Sequence, residues 1–331
     1  MIQERQLVRK IAHALAPARA ASSRLKMGIG DDAAVLSPAG RTEWVLSCDT
    51  FLEDVHFRAK THPPDSVGYK ALSRASSDLA AMGATPRYYL LTLALPATRT
   101  GAWLEAFLKG MARAGRELGI TIIGGDTTKS RTVFTSVTVL GEISPGRALT
   151  RSGARPGDII YVSGKLGRAQ LGLELVLRGR AQDRHLRALV QPHLYPKIRL
   201  ELGSWLAGQR IATSAMDLSD GLSTDLARLC TASKVGAKIY ARKVPAVVIP
   251  AAIAGQLGKS KLDPLQLALH AGEDYELLFT VSPRKAEKLH HAPGAATLTP
   301  IGEITRNRQL ILVAPNARNK PLKSQGWEPF R

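Results

Sequence analysis

Short apolar runs alternate with amphipathic stretches along most of the chain, and this alternation limits the fold more than any other feature. Trp44–Cys48 predicts a strand running into Asp49. Asp65 is expected to cap a helix carrying Val67, Ala71, Leu72, Ala75, Leu79 and Met82, which Gly83 closes. Tyr88–Leu95, without interior Gly or Pro, reads as a strand. Ala102–Leu118 reads as a helix with Trp103, Phe107, Leu108, Met111 and Leu118 on one broad face, ended by Gly119. Ile120–Ile123 follows as a buried strand. Thr132–Leu140 sets Val133, Thr135, Val137 and Val139 against Phe134, Ser136, Thr138 and Leu140, the period of two that marks a long strand.

The turn-rich segment Ser152-Gly153-Ala154-Arg155-Pro156-Gly157-Asp158 is the best boundary, because a fresh strand, Ile159–Ser163, begins after it. Beyond it, Ala212–Met216, Tyr275–Val281 and Leu310–Val313 read as strands. Ala169–Leu177, Ile198–Leu206 and Leu222–Leu229 read as helices. The 331 residues suffice for two ordinary domains, and 44% hydrophobic residues supply a core. The expectation is an α/β (α+β) protein with domains over 1–150 and 151–331.

No apolar run approaches the length of a membrane span. Ile2–Leu15 spaces Leu7, Ile11 and Leu15 as an amphipathic helix, unlike a signal peptide. Cys48 and Cys230 make neither a disulfide framework nor a zinc site. A soluble cytoplasmic protein is expected. The formal net charge of +19 raises nucleic-acid binding as an alternative. However, the basic residues are scattered, without a Lys/Arg tract, finger spacing or RNA-binding aromatic signature. A basic surface suited to anionic ligands, around a locally acidic site, is the preferred reading.

That acidic site is written as recurring acid-plus-glycine clusters. They are Gly28-Ile29-Gly30-Asp31-Asp32, Asp49, Asp78, Gly124-Gly125-Asp126, Asp217 to Gly221, and Gly272-Glu273-Asp274. Asp49 and Asp217 end predicted strands, Asp126 follows a strand and two glycines, and Asp220 stands at a helix mouth. These are the places where α/β proteins carry ligand groups. Asp78 lies inside a helix, a poor place for aspartate. Each has a plainer reading. Ser219 and Asp220 suit a helix N-cap, Asp126 a turn, Asp78 a solvated face, and Asp31 and Asp32 an Asx-turn. Gly164-Lys165 lacks P-loop spacing, and no Gly-x-Ser-x-Gly elbow occurs. Taken together, converging aspartates repel one another unless divalent cations lie between them. An oxygen-only donor set selects hard cations, so several Mg²⁺ ions with a polyphosphate is the economical reading. Glycines beside Asp32 and Asp126 let backbone N–H groups face phosphate oxygens.

Seven ordered runs resemble the thiamine-monophosphate kinase family. They are Gly28-Ile29-Gly30-Asp31-Asp32-Ala33, Ser47-Cys48-Asp49-Thr50 with His56-Phe57, Ser77 to Ala84, Gly124-Gly125-Asp126-Thr127-Thr128, Leu149-Thr150-Arg151-Ser152-Gly153, Asp217 to Leu222, and Gly272 to Leu277. The resemblance implies the two-domain fold of the aminoimidazole ribonucleotide synthetase superfamily. It implies a homodimer in which the N-terminal sheets pair across the interface, with ATP in a cleft between the domains. It implies phosphorylation of thiamine monophosphate by ATP with Mg²⁺. Metal ligands are then expected at Asp32, Ser47, Cys48, Asp49, Asp78, Asp126, Asp217 and Asp220. Nucleotide contacts are expected from Gly125, Asp126, Arg151 and Ser219, and thiamine-phosphate contacts from His56, Glu273 and Trp327. Asp78, Asp126 and Arg151 would carry the chemistry. Cys48 departs from the Thr or Ser expected there; a backbone carbonyl would make the change harmless, whereas a thiol is too soft for Mg²⁺. The nearest rival is another ATP-using synthetase of the superfamily, but the chain lacks the Cys-bearing glycine-rich loop and the Cys-terminated tail of two such members.

Overall fold

The computed structural model describes residue 6 and residues 24–37, 40–257, 262–294 and 297–329. Apart from Gln6, the expected helix over Ile2–Leu15 lies outside the described residues. The first half runs β1 (Leu25–Met27), β2 (Ala34–Leu36), β3 (Glu43–Leu52), α1 (Pro64–Met82), β4 (Thr85–Leu95), α2 (Ala102–Leu118), β5 (Thr121–Lys129) and β6 (Phe134–Ile143). Its strands form one six-stranded sheet in the order β1-β2-β3-β6-β4-β5. Only β4 and β5 are parallel, with α2 as their crossover.

The second half runs β7 (Ile159–Ser163), α3 (Arg168–Leu177), α4 (Arg187–Leu194), α5 (Leu200–Gly208), β8 (Ala212–Asp217), α6 (Leu222–Ser233), β9 (Gly236–Tyr240), α7 (Ala251–Leu257), α8 (Pro264–His270), β10 (Leu277–Val281), β11 (Leu298–Thr305), β12 (Leu310–Val313) and β13 (Asn319–Pro321). These strands form a seven-stranded sheet in the order β13-β12-β9-β11-β7-β10-β8. Residues alternate between its faces. Tyr161, Ala215, Leu277 and Phe279 join the core around α1 and α5. Ile160, Val162, Met216 and Leu278 pack with Leu222, Leu226 and Leu269 of α6 and α8.

Helix α1 is the element both halves share. Pro64 at its first turn has the helical φ already fixed, and Gly83 closes it in the left-handed conformation (φ 74°). Asp65 does not cap it: Pro63 holds that position, and the Asp65 carboxylate accepts the Tyr195 hydroxyl at 2.7 Å. Fifteen of its nineteen residues are buried, which small side chains permit. A Cβ on Gly68 would lie 1.9 Å from the Phe107 carbonyl, and one on Gly110 1.7 Å from that of Asp65, so α1 and α2 touch backbone to backbone. On another side, a Cβ on Gly203 of α5 would lie 2.0 Å from the Ala80 carbonyl. Val45, Phe51, Val137 and Val139 of the first sheet and Ala215 and Phe279 of the second enter one continuous core with Leu72 and Leu79.

Several local expectations change. Leu108 is 44% exposed, off the apolar face of α2. Strand β5 is an exposed edge, with Ile122 and Ile123 49% and 55% exposed, because among the described residues no strand pairs with its outer side. Gly124, Gly125 and Asp126 lie within β5, and Asp49 lies within β3. Strand β4 begins before Pro86 and absorbs that proline with a register shift between Pro86 and Tyr88. Strand β11, interrupted in sequence by Pro300 and Gly302, likewise carries a register shift there.

Candidate active site

Three carboxylates converge where α1 passes between the sheets. Asp32 follows the Gly28–Asp31 turn, Asp78 projects from α1, and Asp217 ends β8. One oxygen from each lies within 4.8 Å of the others. The Asp32 side chain is 1% exposed; its Oδ1 accepts Arg151 Nη2 at 2.6 Å and Nε at 3.1 Å. Its Oδ2 is buried with no hydrogen-bond partner. Asp78 accepts a short bond from Ser47 Oγ, and Asp217 accepts Ser77 Oγ at 2.7 Å. Burial and the neighbouring Asp217, Asp49 and Asp32 push Asp78 well above the ordinary carboxylate range. Burial, then Asp32, pushes Asp217 up to about 7. Such a cluster is poised for a cation.

Asp31 has a different task. Both its oxygens accept the Arg151 backbone N–H at 3.1 Å, and Oδ1 also accepts the Asp32 N–H. It therefore clamps the strap that carries Arg151, and its carboxyl is raised to about 6 by burial and by Asp32. Along β3, Ser47 and Asp49 face α1, where Arg74 Nε donates to Asp49 Oδ2 at 3.0 Å. Cys48 faces the other way: its sulfur lies 3.3 Å from Ser136 Oγ and from Thr138 Oγ1 across on β6. The thiol points away from the acid cluster, which leaves only the backbone of Cys48 on that side. Asp126 is not in the cluster. It pairs with Thr92, which pairs with Ser136, which pairs with Thr50. By this register Asp126 shares the sheet face of Cys48, three strand spacings (about 14 Å) from β3. Gly125 beside it has φ 150°, and a Cβ there would lie 1.8 Å from the Leu91 carbonyl.

Two loops complete the site. Ser219 and Asp220 precede α6, but Gly221 is the N-cap residue and no side chain caps from that position. Instead Asp225, from within the helix, accepts the N–H groups of Asp220 and Gly221 at 3.1 and 3.0 Å. Asp220 is held by Arg228, which also reaches Asp225. The Glu273 N–H donates to the Ser219 carbonyl at 2.7 Å, so the two loops run side by side. In the Gly272–Glu276 run, Asp274 accepts the N–H groups of Gly167 and Ala169 at the start of α3, at 2.6 and 3.0 Å. Glu276 takes Arg199 with both oxygens, at 2.5 and 2.6 Å. Glu273 differs from both: its side chain stays 25% exposed, with Oε2 accepting Lys70 Nζ at 2.8 Å. The Trp327 backbone N–H donates to the Asp220 carbonyl at 3.0 Å, and the residue is 49% exposed, so its side chain does not fill the core. His56 accepts the Leu52 N–H at Nδ1, and burial and Arg74 lower its pKa to about 4, so its imidazole is neutral.

Sequence reasoning passed over Lys70, Arg74, Ser77, His193 and Asp225. The signal was present in α1: Lys70, Arg74 and Asp78 recur at i, i+4 and i+8, a polar stripe on an otherwise buried helix. Lys70 reaches Glu273, Arg74 reaches Asp49 and Asp78 meets Ser47. The stripe thus spans about 12 Å between the Glu273 end and the acid end of the site.

The sequence matches the profile of the AIR synthase related protein N-terminal domain over residues 30–143 and that of its C-terminal domain over residues 155–314. It is 38% identical to thiamine-monophosphate kinase of Synechococcus elongatus over 282 residues, 83% of each chain. It is 33% identical to the Bacillus subtilis enzyme of the same name over 329 residues, 97% of this chain and 98% of that one. A solved structure described as AaThiL complexed with AMPPCP and TMP superposes with a TM-score of 0.83 at 31% identity, covering 99% of this chain and 97% of the other. No described helix is long and apolar enough to cross a membrane.

Proposed function

The chain belongs to the thiamine-monophosphate kinase family of the AIR synthase related proteins, and we propose from its site how it performs that reaction. It transfers the terminal phosphoryl group of ATP to thiamine monophosphate, giving thiamine diphosphate. The observation that carries the mechanism is the convergence of Asp32, Asp78 and Asp217, with Asp32 Oδ2 buried and unpartnered.

That donor set fits Mg²⁺: all oxygen, mutually repelling, and with one lone buried acceptor. Asp32, Asp78 and Asp217 would hold it, joined by Ser47, Asp49, Asp220 and the backbone of Cys48 for further ions. When bound, Mg²⁺ neutralises phosphate oxygens and aligns donor and acceptor. The chain's own groups do the rest. Arg151, oriented by Asp32 and anchored through its backbone by Asp31, puts a guanidinium fork on the phosphates. Ser219 contacts the nucleotide, and Gly125, beside Asp126 on β5, does so across the dimer interface. His56, Glu273 and Trp327 contact the thiamine moiety. The acceptor is a phosphate monoester already carrying about −1.5 to −2 charge at pH 7, so it needs no general base. Its oxygen forms the new bond to the terminal phosphorus as the bond to ADP breaks, with no phosphorylated protein intermediate.

The exposed β5 edge, with Ile122 and Ile123, supports a homodimer in which first-half sheets pair. Asp126 then joins a site across that interface rather than within its own chain. The division at residue 150 is supported by the strands of the two sheets, which end at Ile143 and begin again at Ile159. We place the protein in the cytoplasm. The test of the reaction is chromatography of thiamine diphosphate formed from thiamine monophosphate and Mg-ATP. Absence of product overturns the reading.

A further inference from the structure

A chain of buried titratable groups runs from the core to Glu273, and the reaction does not use it directly. Lys70, His193 and His62 are 2%, 0% and 4% exposed. His62 Nε2 lies 3.0 Å from His193 Nε2; His193 Nδ1 lies 3.3 Å from Glu273 Oε2; and Lys70 Nζ lies 2.8 Å from the same oxygen and 3.2 Å from His193 Nδ1. His62 Nδ1 lies between the Arg58 backbone N–H (3.2 Å) and carbonyl (3.1 Å), its Nε2 meets His193, and His193 Nδ1 faces both Lys70 Nζ and Glu273 Oε2, so the three side chains form one contact chain ending on that oxygen. Burial lowers both imidazoles below the ordinary histidine range and pulls Lys70 below the ordinary lysine range, a pull that the adjoining Glu273 carboxylate opposes.

Two further observations give this chain a direction. Glu273 is left-handed (φ 67°), a costly conformation for a non-glycine residue, fixed by its N–H bond to Ser219. Its side chain remains 25% exposed although Oε2 is tied to buried partners. Burial raises the Glu273 carboxyl, but the Lys70 charge and the His193 hydrogen bond outweigh it and hold it well below the usual carboxylate range. A buried ion pair is costly to desolvate and gives little net stability. What it delivers here is one carboxylate, ionised, fixed in orientation, with Oε1 left over.

We propose that Lys70, backed by His193, is a positioning residue for recognition of the thiamine end of the substrate: it fixes Glu273 so that Oε1 meets the cationic, amino-bearing ring system. This rests on the reading of Glu273 as a thiamine contact. Because the chain ends on that carboxylate alone, its effect is confined to one substrate.

The test is steady-state kinetics of Lys70→Met, Glu273→Gln and the double variant. Lys70→Met raises KM for thiamine monophosphate about tenfold or more, leaves KM for ATP within about twofold and leaves kcat within about threefold, the pattern of lost uniform binding. The double variant matches Glu273→Gln alone, since Lys70 acts only through that residue. Equal rises in both KM values, a fall in kcat alone, or effects that multiply would each overturn the proposal. If Glu273→Gln leaves KM for thiamine monophosphate unchanged, the thiamine-contact reading fails, and the proposal with it. A shift in Glu273→Gln without one in Lys70→Met sinks only the proposal. Should Lys70→Met not fold, His193→Asn carries the same test: KM for thiamine monophosphate rises while KM for ATP holds, and an unchanged value overturns it.

Discussion

Ser77 Oγ donates to Asp217 Oδ2 at 2.7 Å, and this bond ties the helix of the first half to the strand end of the second at the centre of the acid cluster. Asp78, the next residue, takes Ser47 instead. Two consecutive positions on α1 thus orient carboxylates from both sides of the site.

Those carboxylates are strained by one another, which gives a prediction of opposite signs. Without metal, Asp78→Asn or Asp217→Asn removes a carboxyl that burial and its acidic neighbours make costly to ionise in the folded state, so the melting midpoint in EDTA at neutral pH rises by about 2–4 °C. Turnover falls at least about a hundredfold, as expected for loss of a metal ligand. Differential scanning fluorimetry and a coupled ADP assay measure both. A fall in midpoint would make these aspartates structural.

Mg²⁺ raises the midpoint of the EDTA-treated protein by mass action. Asp32→Asn, which alters the unpartnered buried oxygen, abolishes most of that rise. An undiminished rise in the variant would place the ion elsewhere.

Cys48→Ser keeps turnover within about threefold, because the thiol faces Ser136 and Thr138 on the far side of the sheet and exposed-side substitutions are mild. A tenfold loss in the ADP assay would mean that the side chain reaches the site.

Asp126 supplies a test of the dimer. Asp78→Asn and Asp126→Asn homodimers are each inactive, but co-expressed subunits regain activity if Asp126 acts in trans, since one site per mixed dimer is then intact. If purified mixed dimers stay inactive, Asp126 serves its own chain.

The buried imidazole of His62 sets an acid limit. Burial, then His193 and Lys70, lowers its pKa from 6.5 to about 4. Above 6.5 both folded and unfolded states are neutral and the residue is silent. As the pH falls from 6.5 towards 4 the unfolded chain takes up a proton that the folded one refuses, so stability is lost, by roughly 3 kcal/mol across the window. His62→Gln flattens this dependence in urea titrations at stepped pH. A slope equal to the parent's would show that His62 does not carry it.

Much of this was legible in the sequence. Periodicity found β7, β12 and α2 to the residue and α1 and β6 to within a few. It failed where tertiary context decides. Nothing local in Ile120–Ile123 distinguishes a buried strand from an edge. Pro86 and Pro300 hide strands that bulge around them. The acids of the site were visible as residues, but their duties were not. Asp31 binds backbone, and Asp274 and Glu276 are consumed by α3 and Arg199, because each of these partners lies far off in the chain, whereas Asp225 caps its own helix from inside through the nearby Asp220 and Gly221 N–H groups.

Helix α1 lies in a core contributed by both sheets, and that has a consequence for taking the protein apart. A fragment ending at residue 150 would keep α1 but strip away Ala215, Phe279 and α5, uncovering Ala80 where Gly203 packs on it and leaving Ser77 without Asp217. Cleavage at the linker would therefore not yield two autonomous halves. They should melt in one transition, and substrates must enter without the halves parting, since parting would tear Ser77 from Asp217 and dismantle the site.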